Sequence, residues 1–83
     1  MKHILVIAKH NQAEALRVAA GLTLLNDAVR VIVPGPLAQT PAVTEQKEVL
    51  DFAEVPCEEL ADAPDPAAVI ATAILESPVL YVI

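Results

Sequence analysis

The chain is poor in most of the residues that announce a function. It has no tryptophan, one tyrosine, one phenylalanine, one cysteine, one serine and two glycines. A single cysteine, Cys57, excludes an internal disulfide and any multi-cysteine metal site. The two glycines, Gly21 and Gly35, stand alone. They form neither a G-x-G-x-x-G nor a Walker pattern, so no phosphate-cradling loop is expected. Ser77 is the lone serine and leads toward a strand, which leaves no Ser-His-Asp arrangement. No His/Cys/Asp/Glu set has metal-ligand spacing, and we expect neither metal nor cofactor. Base is scarce too: the net charge is −6. With so few stacking rings, that balance argues against nucleic acid as a partner. No apolar run reaches the roughly 18–20 residues that span a bilayer, and no signal-peptide pattern opens the chain. We therefore expect a cytoplasmic protein without membrane contact.

What the chain does have is aliphatic bulk. Hydrophobic residues make up 55% of its 83 positions. That length has room for one domain, residues 1–83, and a domain so small has few interior places to fill. Self-association is the natural outlet for the excess, and a homo-oligomer is expected. Charge is unevenly spread. Through Val33 four cations meet two acids, and beyond it Lys47 alone meets nine acids. The plain reading of that acidic half is a solvated face and loop.

The organising stretch is His3 to Val33. Ile4–Ala8 is apolar at every position, the habit of a strand covered on both faces. Ala13–Leu25 is long and rich in Ala and Leu, so it reads as a helix. Asn11 or Gln12 caps its start, and Asn26-Asp27 stops it. Ala28–Val33 is a second β-branched run. Strand, crossover helix and strand make a right-handed parallel unit. Pro34-Gly35-Pro36 then halts the chain. Thr40-Pro41 pairs an N-cap with proline at the first helical turn. The helix they open, to Ala53, sets Val43, Val49, Leu50 and Ala53 toward the sheet. Glu54–Cys57 reads as a short third strand at an edge, because Pro56 removes a donor. Glu58–Pro64 reads as an acidic connection, with one possible helical turn at Glu58–Leu60. Asp65-Pro66 repeats the cap-then-proline signal. The helix to Glu76 is apolar almost all round and should be buried all round, with a second partner over its outer face. Pro78 opens the last strand, to Ile83.

Four strands alternating with three helices predict an α/β three-layer sandwich. Its four-stranded sheet is mostly parallel, with helices on both faces. Strand orders 3-2-1-4 and flavodoxin-like 2-1-3-4 are both open, and a weak third strand favours the first. In a parallel sheet ligands bind at the rim where strands end. That rim is expected to collect Lys9, His10 and Asn11 after the first strand, Gly35 with its prolines after the second, and Cys57 after the third. Cys57 would then lie roughly 5–15 Å from His10. A thiolate is favoured by nearby cations, which Lys9 and His10 would supply, while Glu58 and Glu59 oppose it. Free cysteine also serves simply as packing.

Several of these residues together resemble the DsrE/DsrF-like family of small sulfur-relay proteins. They are the apolar first strand Ile4–Ala8, the helix Ala15–Leu24, the turn Asn26-Asp27 into Val29–Val33 before a glycine-containing loop, and the late Ala-rich helix feeding an apolar strand. The resemblance implies a three-layer sandwich that forms oligomers. It also implies a cysteine near a strand end that carries sulfur as a persulfide, exchanged with a donor or acceptor protein. Cys57 is the residue that would fill this role, with Lys9 and His10 beside it. The opening residues Met1–Ala8 also resemble universal stress proteins and electron-transfer flavoprotein subunits, but the nucleotide-binding glycine motif of those families is not visible. Two functions follow as expectations: a sulfur carrier acting through Cys57, or a non-catalytic assembly or regulatory module in which Cys57 is packing.

Overall fold

A computed structural model of the chain describes residues 3–25 and 28–83. Its elements are β1 (His3–Ile7), α1 (Gln12–Leu22), a 3-10 turn (Thr23–Leu25), β2 (Ala28–Val33), α2 (Pro41–Phe52), β3 (Cys57–Glu59), α3 (Pro66–Glu76) and β4 (Val79–Val82). All strand pairs are parallel, and the order is β3-β2-β1-β4. Of the two orders open from sequence, this is the one with the weak strand at an edge.

Alternation along the strands sorts the core into two layers. Ile4, Val6 and Ala8 of the β1 segment pack with Val29, Val31 and Val33 of β2 on the face covered by α1 and α2. Leu5, Ile7 and Ile32 turn to the opposite face and pack with Leu60 and Ala73, under α3. That is why β1 is apolar at successive positions: each neighbour needs a different layer. The two layers make the fold a three-layer α/β sandwich.

The helix starts follow the caps. Asn11 Oδ1 accepts from the Glu14 N–H at 3.1 Å, Thr40 Oγ1 from Val43 at 3.3 Å and Asp65 Oδ1 from Ala68 at 3.1 Å. Each satisfies a donor that the first helical turn would leave without a partner. The first helix is α only to Leu22. Thr23 Oγ1 donates to the Ala20 carbonyl at 2.6 Å, and the last three residues tighten into the 3-10 turn. The Asn26-Asp27 stop lies outside the described residues.

Three expectations are corrected. The third strand is not Glu54–Cys57 but Cys57–Glu59. The preceding residues close α2 instead: the Glu54 N–H donates to Asp51 O at 3.0 Å and the Val55 N–H to Leu50 O at 3.2 Å. This is a Schellman motif, with Glu54 left-handed at φ 60° and Val55 buried in the same cluster as Leu50. Glu58–Leu60 is accordingly strand and strand end rather than a helical turn, and the Leu60 N–H donates to Val33 O at 2.9 Å. Second, α3 is not buried all round within one chain. Only Ala73 is buried, and Val69 and Ile70 are partly covered. Third, Val49 faces outward, while Val43 and Leu50 carry the α2 contact.

Candidate functional site

The rim at the strand C-terminal ends holds Lys9, His10 and Asn11, as expected. It is drawn together by main-chain bonds: the Lys9 and His10 N–H groups both donate to Ile83 O, at 2.8 and 2.9 Å. Chain direction switches here, because β1 leads toward β2 on one side and β4 lies on the other. In open parallel sheets such a switch is where ligands collect. Gln12, read from sequence only as a possible helix start, bridges two rim loops. Its Nε2 donates to Pro36 O at 3.0 Å and its Oε1 accepts from the Ala38 N–H at 2.7 Å. An open depression of about 390 Å³ lies between them, lined by Lys9, His10, Gln12, Ala38, Thr40 and Val43. It is a shallow feature with the exposed Lys9 and His10 at its lip.

Gly35 sits in the loop beyond β2, half-buried. Its φ is not left-handed, and a Cβ added there would meet nothing within 4 Å. The loop therefore turns on Pro34, Pro36 and the Gln12 clamp, and Gly35 is not required by close approach.

Cys57 does not join this rim. It is the first residue of β3, not the last residue of a strand, and its register partner is Val31, which in turn pairs with Val6. The thiol thus sits at mid-height of the sheet. Two strand spacings, roughly 10 Å, separate it from β1. Lys9 and His10 lie three and four residues further along that strand's path, on the order of 10 Å higher. The cause is the shifted third strand: with Glu54 and Val55 spent on closing α2, Cys57 enters the ladder two residues before its end. The expected cluster of Cys57 with Lys9 and His10 is not formed.

Its real neighbours come from α2. Cys57 is half-buried against the α1/α2 layer. Burial pushes its thiol up from the ordinary range; the Lys47 ammonium opposes this, and the Glu59 and Asp51 carboxylates reinforce it. Lys47 is itself held by Asp51, with Nζ to Oδ1 at 2.6 Å. That hydrogen bond is the main reason its ammonium is favoured beyond the usual lysine range. An ammonium shared with a carboxylate is a weak promoter of thiolate. Lys47 had no sequence signal as a site residue, since α2 passes over β3 only in the folded chain. Among the described residues, no group of three or more His, Cys, Asp or Glu side chains is placed to hold a metal ion, and no helix is long and apolar enough to cross a membrane.

The feature with most surface is elsewhere. Leu80, Tyr81 and Val82 of β4 are 40–51% exposed, and Leu75 of α3 is 88% exposed, although all four are large and apolar. Leu80, Tyr81 and Val82 lie at the sheet edge opposite Cys57, and Leu75 lies on the outer side of α3. Comparison with family models, with curated proteins and with solved structures finds no match in any of the three.

Proposed function

We propose that this chain is a non-catalytic assembly module with a DsrE-like α/β sandwich, and that it works as a homo-oligomer through the apolar edge strand β4. The observation that carries this reading is the exposure of Leu80, Tyr81 and Val82 along β4, the edge strand of the sheet. Large apolar side chains along an unpaired strand edge mark an interaction site. The thiol supports it by default, because its burial favours the neutral form and Lys9 and His10 of the rim stand apart from it. Light scattering coupled to size exclusion at micromolar concentration tests the reading. A dimer or larger species is expected, and a clean monomer overturns it.

A second reading keeps Cys57 as a sulfur acceptor, favoured by its half exposure and the nearby Lys47 ammonium. The Cys57 thiolate would attack the outer sulfur of a donor persulfide. The donor S–S bond breaks, the donor leaves as thiolate, and Cys57 becomes the persulfide with no net change of oxidation state. Intact mass after incubation with a persulfide donor should then rise by about 32 Da, one sulfur atom. The gain must vanish in Cys57→Ala. An unmodified wild type removes this reading and leaves the first untouched.

A further inference from the structure

We propose that the outer edge of β4 pairs with the same edge of a second copy of this chain, antiparallel, about a two-fold axis through Tyr81. This rests on the assembly reading above and names its interface.

The backbone sets the register. The Ile83 N–H donates to Ile7 O at 3.0 Å, and Ile83 O accepts from Lys9. Ile83 therefore aims its polar groups at β1. Because direction alternates along a strand, Tyr81 and Val79 do the same, and Leu80 and Val82 turn their N–H and C=O groups outward. A symmetric antiparallel partner must set these outward residues opposite one another. A register centred on Leu80 places Val82 against Pro78, which has no N–H to give. A register centred on Val82 pairs only Val82 with itself within β4, Val79–Val82. Centred on Tyr81, Leu80 meets Val82 of the second copy, and Val82 meets its Leu80. Each pair exchanges two hydrogen bonds, so the N–H and C=O groups of Leu80 and Val82 are all satisfied, whereas opposite Pro78 the Val82 carbonyl has no donor.

The side chains agree with that register. Leu80 and Val82 are register partners of Leu5 and Ile7 and so share the α3 face, while Tyr81 is level with Val6 on the other. Rotation about an axis normal to the sheet keeps each face on its own side. The two Leu–Val pairs thus form on one face, and Tyr81 lies directly opposite Tyr81 on the other, an apolar and aromatic set of the kind that stabilises sheets.

Charge selects the second copy. Each chain carries −6 overall, yet no charged residue occurs from Ser77 to Ile83. The copies meet along a strip where their like charges do not oppose each other. The β3 edge, with Glu58 and Glu59, has no such property.

The test is a cross-link in the full chain. In a non-hydrogen-bonded antiparallel pair the Cα atoms are about 4.5 Å apart, within disulfide reach. The double variant Cys57→Ala/Tyr81→Cys should give a covalent dimer under mild oxidation at least tenfold faster than Cys57→Ala/Leu75→Cys. An oligomer by light scattering that fails to cross-link at residue 81 overturns this interface and leaves the assembly reading standing. A monomer overturns both. Should the variant not fold, a mixed sample of labelled and unlabelled wild type decides. Inter-copy contacts between Leu80 and Val82 sustain the interface, and contacts confined to other residues overturn it.

Discussion

The two edges of this sheet are built from the same parallel ladder and treated in opposite ways. The β3 edge is three residues long, follows Pro56 and carries Glu58 and Glu59. Its carboxylates are occupied: Glu58 reaches Arg30 at 3.3 Å and Glu59 accepts from the Leu37 N–H at 2.7 Å. Shortness, proline and charge are the usual devices that keep an edge from pairing with another chain. The β4 edge is one residue longer and also follows a proline, Pro78, but it lacks the charge, and its side chains are apolar on both faces. One edge is closed by its own sequence. The other is left open, and an open edge in a −6 chain is tolerable only if something neutral covers it.

The comparison can be broken from either side. From the β3 side the largest effect is expected at Leu50, fully buried and the acceptor that anchors the Schellman turn leading into β3. Leu50→Ala should destabilise by about 2–5 kcal/mol, read as a lowered midpoint in urea. From the β4 side, Leu80→Lys gives the open edge the protection β3 already has. Association should weaken at least about 30-fold, or roughly 2 kcal/mol, by sedimentation equilibrium, with the circular dichroism spectrum unchanged. Glu54→Gly sharpens the comparison instead. Glycine relieves the left-handed residue at the α2 end, and stability should rise by about 1 kcal/mol with oligomeric state unaffected.

The smallest effect concerns the thiol. Burial raises its pKa in the folded chain, so the neutral form is favoured there. That contribution to stability is full below the unfolded thiol's pKa and is lost as pH climbs through the folded one. Native Cys57 should accordingly be alkylated several-fold more slowly than in the denatured chain near about pH 8. The lag should close at higher pH. Equal rates at every pH would show the thiolate to be as available folded as unfolded, which favours the sulfur-carrier reading.

Much of this architecture was legible in the chain. Apolar runs marked β1 and β2, and Thr40-Pro41 and Asp65-Pro66 marked two helix starts, because these signals act within a few residues of themselves. The third strand was misplaced by such local logic. Val55 and Pro56 read as strand and edge, but Val55 is spent on a turn whose left-handed position holds Glu54 rather than the expected glycine. That shift carried Cys57 away from Lys9 and His10, and the site envisaged around it went with it. The roles of Lys47 and Gln12 were invisible for a different reason: their partners, Asp51 aside, come from other elements, and no spacing along the chain encodes them. The apolar character of α3 was plain from sequence, though what it leaves uncovered became visible only in the folded chain.

Amide hydrogen exchange at two residues tests the central claim most directly. In an isolated chain the Leu80 and Val82 N–H groups point to water, whereas that of Tyr81 is bonded to β1. Pairing of the open edges predicts that both outward amides exchange slowly in a concentrated solution and quicken together on dilution. Rapid exchange of Leu80 and Val82 at every concentration would contradict it.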